Sequence, residues 1–562
     1  MVPNCLREAL AASAQLPSRV ARSIAPWRRT LHIIGLLVAI VAAGYVSVRL
    51  GKDANWDLQN YHFYNGYAFV EGRLDHDLAP AQLQSFHSPL LDAAFYLMVR
   101  ADWAPRVIAV VLALPAGIGA YLIALITLRL FPGGFGEQFL LRGAAIAIAC
   151  TGTMAIALLG TTMNEWPCAA LVMAALWLLL VDADQPQRPA RRLVLSGIVA
   201  GVAAGLKLTA APYAVGLCCA LAAQSSPLRR RVIEAAGFGS AVVAGLLLSS
   251  GFWFYELWQR FNNPVFPYLN AWFRSPWFDA VDFPPRGYGP HSLVELMTFP
   301  FWLLKYHASL ITEMYLRDWR LAILYVVALA LLATTLYRRL RRPKLTSVAG
   351  QLPKPVEGAA APGAWRLVCV FWIVSFAIWV YQHSNYRFVI PLELLMGPLI
   401  VGALQRTISR RLFAAFAAVA TAALVILTAR YPDWGHINFQ RHYFYVEAPP
   451  LPERSMVILV GGAPMAYVIP FMRNDARFVG LNNNLTELAF HNHRYQRLVD
   501  ETIDQHRGPL FSMSPTPDAE TVLRTRGLSQ DRAGCELIRS NMPTSPIELC
   551  PLLRAGSQER RS

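Results

Sequence analysis

The sequence carries little charge for its length. Asp, Glu, Lys and Arg make up 15% of its 562 residues, against 55% hydrophobic residues, whereas soluble domains average about 25% charged residues. This shortage excludes a soluble globular protein. Apolar runs long enough to cross about 30 Å of hydrocarbon recur along the chain. They predict a multi-spanning α-helical membrane protein whose main partner is the lipid bilayer.

Cysteine is also scarce, and most of it lies in apolar runs. Five of the 8 cysteines fall in such runs and are interpreted as small core residues, namely Cys150, Cys168, Cys218, Cys219 and Cys369. Cys535 and Cys550 lie in the C-terminal tail instead. A disulfide between them and a pair of free thiols are both compatible with the sequence.

Two further absences limit the chemistry. No G-x-G-x-x-G pattern follows Gly461 and Gly462, so a phosphate-binding loop is excluded there in favour of a plain turn. His62, His87 and His383 lack the spacing of metal ligands, which favours solvated loop histidines. No cofactor is therefore predicted with certainty, and a divalent metal stays open as an alternative.

The positive charge is concentrated between the apolar runs. The formal net charge is +16, and its basic clusters lie at Arg19–Arg29, Arg188–Arg192, Arg229–Arg231, Arg338–Lys344 and Arg406–Arg411. Cytoplasmic loops of membrane proteins carry such an excess of Lys and Arg. The clusters therefore indicate topology rather than a nucleic-acid partner. They predict a multi-pass protein of the cell (inner) membrane with residues 1–30 in the cytoplasm.

About eleven spans follow when these clusters are taken as cytoplasmic. The predicted spans are 31–50, 105–128, 142–160, 166–182, 193–206, 208–224, 233–256, 317–337, 365–381, 387–405 and 411–429. Large outer loops follow at 51–104 and 257–316, and the short apolar run 89–99 is expected to lie in the interface. The membrane domain covers 31–430 in this interpretation.

The tail 431–562 has a different pattern. Buried-strand patterns at 456–462, 477–481 and 508–514 alternate with helical spacing over 485–506. Strands alternating with helices predict a small α/β domain. It is expected outside the cytoplasm, and no chemistry is assigned to it.

Ionisable residues collect at the predicted outer ends of the spans. They are Asp57 in the first outer loop, Glu165 between two spans, Lys207 at a break in the run 193–224, and His383 and Arg387 between two late spans. Charged groups at membrane depth cost several kcal/mol, so function is the default hypothesis for them. Four separate outer turns are expected to line one cavity.

An ordered set of motifs resembles the GT-C glycosyltransferases, the superfamily that uses lipid-phosphate-linked sugars. Its members include protein O-mannosyltransferases and lipid A aminoarabinose transferases. The motifs are DLQNYHFYNGYAFVEGR (57–73), HSPLLDAAFYLM (87–98), TTMNEWPCAALVMAAL (161–176), GVAAGLKLTAAP (201–212), NNPVFPYLNAWF (262–273) and NYRFVIP (385–391). The resemblance covers roughly 30–430. It departs from the family pattern at Leu58 and Glu165, where the family commonly has an acid and an Asp.

The resemblance implies a transfer reaction with named roles. A sugar would move with inversion from a polyprenyl-phosphate donor to a glycan, lipid or protein acceptor at the outer face, with Asp57 as general base. One acid with basic partners suits transfer, since the phosphate leaving group needs cations and no proton. The candidates for substrate binding are Tyr61, His62, Glu165, Lys207, His383 and Arg387. Lys207 and Arg387 would hold the lipid phosphate.

Structural roles compete with each of these assignments. Asp57 and Glu165 are also residues that cap helix N-termini, Lys207 also suits snorkelling to the interface, and Arg387 also suits an anchor. Aromatic residues such as Tyr61 are common in interfacial belts. At the level of function, a transporter or flippase of lipid-linked saccharides and an O-antigen ligase or polymerase remain the alternatives.

Overall fold

A computed structural model describes residues 27–133, 136–185, 188–281, 288–305, 310–341, 362–486, 493–515, 519–544 and 546–554. The Pro-, Gly- and Ala-rich stretch 343–363, whose composition predicts a cytoplasmic linker, lies largely outside these residues, and so does the predicted basic N-terminus 1–30. Within them the chain forms a helix bundle, a folded outer segment and a C-terminal sheet domain.

Seven described helices are long and apolar enough to cross a membrane. They are Arg29–Leu50, Pro105–Leu130, Leu228–Phe261, Arg320–Leu340, Pro362–Gln382, Tyr386–Thr407 and Arg411–Thr428. The multi-pass prediction is thereby confirmed. Four predicted spans contain shorter helices, Glu137–Cys150, Glu165–Val181, Ala190–Leu206 and Ala211–Ala222. A crossing needs about 20 helical residues, so the count of about eleven spans is not confirmed.

The predicted break in the run 193–224 is present. The helix Ala190–Leu206 ends where Lys207 adopts an extended backbone, and a 3₁₀ turn, Leu208–Ala210, leads into the next helix. Pro212 stands in the first turn of that helix, where a missing N–H costs nothing. The break leaves Lys207 between two helix ends, where its side chain can face a partner from another helix.

The segment 51–104, predicted as the first outer loop and here called the first outer segment, folds back on itself instead of forming an open loop. It contains β1 (Lys52–Asp53), a π-helical turn (Leu58–His62), and the helices Phe63–Val70 and Leu90–Arg100. The last of these matches the predicted interfacial run 89–99. Strand β1 pairs antiparallel with β2 (His436–Ile437), so the start of this segment is fixed by the chain just beyond the last long helix.

The segment 257–316, predicted as the second outer loop and called by that name below, contains short helical pieces among its described residues beyond Phe261. These are Asn270–Phe273, Leu293–Thr298 and the 3₁₀ helix Phe299–Leu304. The long helix Leu228–Phe261 extends past its predicted end, and Arg260 in its last turn lies 2.8 Å from Asp75 of the first outer segment. The helix thus places the start of the second outer loop next to the first outer segment.

The C-terminal domain is a mixed sheet with helices. Its strands are β3 (Val446–Glu447), β4 (Met456–Val460), β5 (Arg477–Leu481), β6 (Leu510–Ser514), β7 (Leu528–Gln530), β8 (Glu536–Ser540) and β9 (Ile547–Arg554), with the helices Arg494–Gln505 and Ala519–Arg524. The sheet order is β3-β8-β9-β6-β4-β5, and β7 pairs with β9. Strands β5 and β6 both run parallel to β4. The predicted α/β domain is confirmed, and Cys535 and Cys550 form a disulfide in it.

This domain packs directly on the first outer segment. Leu78 forms a parallel bridge with Val479 at the edge strand β5, and the ring of Phe63 stacks on Phe444 with centroids 4.3 Å apart. The buried ammonium of Lys52 donates to the Tyr443 carbonyl at 2.5 Å. The outer segment is therefore held between the helix bundle and the sheet, and its polar turn 55–62 lies between them.

Candidate active site

The turn that carries Asp57 is built by side-chain hydrogen bonds. The Asn55 side chain accepts from the Leu58 amide at 2.7 Å, and Asp53 accepts from the Asn55 amide at 3.0 Å. A π-helical turn then covers Leu58–His62, a local form that occurs frequently at functional sites. Asp57 itself makes no capping hydrogen bond. The capping interpretation of Asp57 is therefore wrong, because Asn55 caps this turn.

Asp57 faces a cation and a phenol. Its carboxylate lies 3.1 Å from the Arg387 guanidinium and accepts a hydrogen bond from the Tyr61 hydroxyl at 3.2 Å. Burial alone would raise the pKa of Asp57, but the positive charges of Arg387, His62 and Lys207 and the Tyr61 hydrogen bond hold it below its usual value. The carboxylate is therefore ionised at neutral pH and able to accept a proton.

Glu165 joins the two basic candidates. Its side chain lies 2.5 Å from the Lys207 ammonium and 3.3 Å from Arg387 Nε, with both cations at the same oxygen, Oε1. The other oxygen, Oε2, is buried and has no hydrogen-bond partner among the described residues. Two carboxylates and two cations, from four separate segments of the chain, thus meet in one group, here called the charged quartet (Asp57, Glu165, Lys207 and Arg387).

Asp53 fixes two of those segments relative to each other. Its Oδ2 accepts from the amide of Thr162 at 2.7 Å and from the Thr162 hydroxyl at 2.9 Å. Thr162 lies just before Glu165, and Asp53 lies just before Asp57. A buried acid thus positions the two quartet acids, a role that sequence reasoning did not assign to Asp53.

Aromatic rings cover the cationic side of the quartet. The Lys207 ammonium lies 5.5 Å and the Arg387 guanidinium 5.2 Å from the centroid of Phe388, and Arg387 also lies 5.7 Å from Trp434. Such contacts favour a charged group whose water has been partly removed. The rings therefore hold the cations in place while leaving them within reach of an anion.

A buried histidine–aspartate pair, His62 and Asp92, adjoins the quartet on the side of the outer segment. The Nδ1 atom of His62 lies 2.7 Å from Asp92 Oδ1, and both side chains are buried. His62 Nε2 is buried without a hydrogen-bond partner among the described residues. Gly66 permits this closeness, since a Cβ there would meet the Asp92 carbonyl oxygen at 2.3 Å. Asp92 was missed as a site residue, although an acid in the apolar run 89–99 was the available signal.

Tyr61 leads to a second histidine. Its ring lies edge-to-face with His87, with centroids 5.1 Å apart, and His87 Nε2 lies 2.8 Å from the Tyr268 hydroxyl. Burial lowers the pKa of His87 to about 3, so this imidazole is neutral. Tyr268 belongs to the motif at 262–273, which brings the second outer loop to the site. Its contact with His87 connects positions too far apart in the sequence to be foreseen.

His383 does not join the quartet. Its ring lies edge-to-face with Phe388, with centroids 5.6 Å apart, and no contact links it to the four charged side chains among the described residues. It is therefore separated from the other predicted binding residues by the aromatic side chain that covers the cations.

The quartet does not form a metal centre in this arrangement. The carboxylates of Asp57 and Glu165 both point at cations, so a divalent ion would have to displace them. Among the described residues, the only cluster of three or more candidate ligand atoms is Cys535, Glu548 and Cys550, and its two cysteines form the disulfide.

No family model and no curated protein matches the chain, but solved structures are similar to it. One is ArnT from Cupriavidus metallidurans bound to undecaprenyl phosphate, with TM-score 0.50 and 11% identity over 92% of this chain and 97% of that one. Another is the Archaeoglobus fulgidus oligosaccharyltransferase in complex with zinc and sulfate, with TM-score 0.41 and 11% identity over 86% of this chain and 69% of that one. The chain has the fold of ArnT, and the GT-C-like fold implied by the ordered motifs is confirmed.

Proposed function

We propose that this membrane protein is a glycosyltransferase that moves a sugar from a polyprenyl-phosphate donor to an acceptor hydroxyl. The observation that carries the proposal is the charged quartet. It places an ionised acid, Asp57, beside two cations, and it stands in the fold of a protein, ArnT, that binds undecaprenyl phosphate. The quartet contains both parts that such a transfer requires.

The cations supply the leaving-group side of the reaction. Arg387 and Lys207 would bind the donor phosphate, because guanidinium and ammonium groups form strong charge-assisted hydrogen bonds with phosphate oxygens. In the structure both are paired with carboxylates. A donor phosphate that takes Arg387 would release Asp57 from its ion pair. Donor binding and exposure of the base would then be one event.

Asp57 supplies the proton acceptor. The acceptor oxygen would attack the anomeric carbon as the bond from that carbon to the phosphate oxygen breaks, and the hydroxyl proton would pass to Asp57. The sugar is inverted and polyprenyl phosphate leaves with its charge held by Arg387 and Lys207. General-base assistance of this kind is worth roughly 10²–10⁴-fold in rate. Tyr61 and Glu165 orient Asp57 and the two cations.

His62 and the remaining candidates take supporting roles in this proposal. His62, oriented by Asp92, would present Nε2 to the sugar or the acceptor. His383 would act only through Phe388. The site would face the outer side of the cell membrane, with the N-terminus in the cytoplasm, as the basic clusters indicate. A periplasmic reporter enzyme fused after Arg554 would then be active, and an inactive fusion would refute this topology.

The test compares membranes containing the wild type, Asp57→Asn or Asp75→Asn, each supplied with radiolabelled polyprenyl-phosphate sugars. Asp75 is the matched control, since it is an acid of the same outer segment whose side chain is 86% exposed. Transfer by the wild type and the control, with loss of about 10²–10⁴-fold in Asp57→Asn, supports the proposal. Equal transfer by all three variants would refute the role of Asp57. Label that accumulates inside vesicles without a transfer product would favour a transporter.

A further inference from the structure

A cavity lies between the first outer segment and the C-terminal domain, at the turn that carries Asp57. Its volume is about 350 Å³, within the usual range for small-molecule sites. The outer segment contributes Trp56 and Gln59, and the C-terminal domain contributes Pro464, Pro515, Pro543 and Thr544. This space, here called the Trp56 cavity, therefore exists only where the two parts of the chain meet.

The sheet topology explains why a cavity forms there. Strand β4 lies between β5 and β6, and both run parallel to it. The chain goes from β4 to β5 on one side and then crosses to β6 on the other side of β4. The carboxyl ends of β4 and β6 therefore flank a topological switch point. Pro464 follows β4 and Pro515 follows β6. Crevices at such points are where open sheets with parallel strands bind ligands.

The walls are held by hydrogen bonds between the two parts of the chain. The Thr544 hydroxyl donates to the Gln59 side chain, whose own amide donates to the Ala54 carbonyl at 2.7 Å. The Gln82 side chain bonds both the Gly462 carbonyl at 3.0 Å and Asn60 at 3.1 Å. The two walls of the cavity are therefore fixed relative to each other.

The lining selects a neutral ligand with an apolar face and hydroxyl groups. Among the described residues, no charged side chain lines the cavity, which disfavours a phosphate or a charged peptide. Trp56 is 39% exposed, so its indole offers a flat apolar surface, while the Thr544 hydroxyl oxygen, which donates its proton to Gln59, can still accept a hydrogen bond. A pyranose ring stacks its C–H face on such a surface and donates a hydroxyl to such an oxygen.

Helical geometry places the cavity beside the base. Trp56 and Gln59 are three positions apart and share one side of the turn, whereas Asp57 and Tyr61 are four apart and share the adjacent side. The latter two are hydrogen-bonded. The cations proposed to hold the donor phosphate lie on the Asp57 side. A ligand in the Trp56 cavity would thus lie beside the turn that carries Asp57, on the side adjacent to the one that faces the cations.

We propose that the Trp56 cavity binds a neutral saccharide unit of the acceptor, next to the unit whose hydroxyl is glycosylated. The identification of the saccharide as part of the acceptor rests on the proposed function, whereas the binding of a saccharide in the cavity does not. It gives the C-terminal domain a role in acceptor recognition. Of the three acceptor classes, glycan, lipid and protein, it selects the glycan.

The test measures binding without turnover. The purified full-length protein in detergent is mixed with a panel of methyl glycosides and neutral oligosaccharides, and binding is followed by saturation-transfer NMR. The variants are Trp56→Ala, Trp56→Phe and Trp103→Ala. Trp103 is the matched control, because it is a tryptophan of the same outer segment with a similar exposure of 44%. Asp57→Asn is included to separate binding from transfer.

We expect at least one saccharide to bind saturably to the wild type and to Trp103→Ala. The dissociation constant should rise about tenfold in Trp56→Ala and by less in Trp56→Phe, which keeps an aromatic surface. Absence of saturable binding, or equal binding by Trp56→Ala, would overturn the proposal. Binding that survives in Asp57→Asn shows that the saccharide site does not depend on the base. If saccharides bind but no protein, wild type included, transfers sugar, the proposed function is refuted and the saccharide site stands.

Discussion

Two groups of buried charged side chains occupy adjoining parts of the helix bundle and differ in how completely their polar atoms are paired. The charged quartet is one. The other joins Asp318, Arg320 and Glu393, and the side chains of Asp318 and Arg320 are 0% exposed. In the quartet, by contrast, the side chains of Asp57, Arg387 and Lys207 are 9%, 14% and 18% exposed. Both groups are buried, so burial alone does not distinguish a ligand-binding site from a charged group that stabilises the fold.

The second group is closed by the protein itself. Arg320 donates to Asp318 at 2.7 Å, to the Ile148 carbonyl at 2.8 Å and to the Thr151 hydroxyl at 2.7 Å. Glu393 accepts from the Ala155 amide at 2.8 Å, at the start of a short helix. No polar side-chain atom of these three charged residues is left unpaired in the described structure. A ligand would find nothing there to bind.

The quartet is not closed in this way. Glu165 Oε2 is buried without a hydrogen-bond partner among the described residues, and Lys207 and Arg387 share the other oxygen of Glu165. An unpaired buried polar group costs about 1–3 kcal/mol. A cluster that tolerates this cost while its charges stay within reach of solvent is arranged for a ligand, whereas the closed group serves the fold.

The largest expected effect concerns the closed group. Arg320→Met leaves Asp318 as an uncompensated buried charge, which should cost about 3–5 kcal/mol of stability. Thermal unfolding of the purified protein in detergent should show a clear fall in Tm. Arg410→Met, at an exposed arginine, is the control and should behave as the wild type. An unchanged Tm in Arg320→Met would mean that the closed group does not brace the bundle.

The next effect should appear in activity and leave stability alone. Lys207→Met removes one proposed phosphate ligand, and a hydrogen bond to a charged group is worth about 1.5–3 kcal/mol. The KM for the polyprenyl-phosphate donor should rise by roughly 10–100-fold. Lys305→Met, at an exposed lysine of the second outer loop, should leave the KM unchanged. A fall in Tm with no change in KM would place Lys207 with the closed group instead.

The pH profile distinguishes a base from a structural acid. In the wild type the pKa of Asp57 is held below its usual value, with Arg387 the strongest of the groups that lower it. Asp57 accepts a proton only when ionised, so the rate should fall only as the pH drops through that low pKa. In Arg387→Gln the largest effect that opposes burial is removed, so the pKa of Asp57 should rise. The acid limb of the pH–rate profile should then move to higher pH. Lys207→Met should move it less, because Lys207 contributes less to the lowering. If the limb stays in place in Arg387→Gln, then the titrating base is not Asp57.

The quartet was predictable from the sequence because charge is expensive in an apolar chain. Asp57, Glu165, Lys207 and Arg387 stand out at the ends of hydrophobic runs, where an ionisable group needs a reason. The α/β domain was equally visible, since its buried strands are short apolar runs. The positions of these residues follow from local pattern, whereas their roles came from the resemblance of the ordered motifs. The four side chains meet in the structure, and the sheet domain is present.

The partners of those residues were not predictable in the same way. Gln59 meets Thr544 across 485 positions, and no periodicity links residues so far apart. The closed group depends on a polar turn, Thr151–Ala155, that meets two other helices. The span count is not confirmed for another reason. Helices such as Ala211–Ala222 are short and largely buried, and their length and composition alone do not identify them as membrane spans.

The smallest effect should come from His383, and it tests whether proximity in the sequence to Arg387 implies function. His383→Ala removes only an edge contact with Phe388, whereas Phe388 keeps its position over Lys207 and Arg387. Transfer should therefore change by less than about twofold, within the range of surface substitutions of about 0.5 kcal/mol. Phe388→Ala is the comparison, because it uncovers both cations to water and should weaken donor binding more than His383→Ala does. If His383→Ala instead abolishes transfer at an unchanged Tm, the donor must reach past Phe388 to the imidazole, and the site would extend to the far side of that ring.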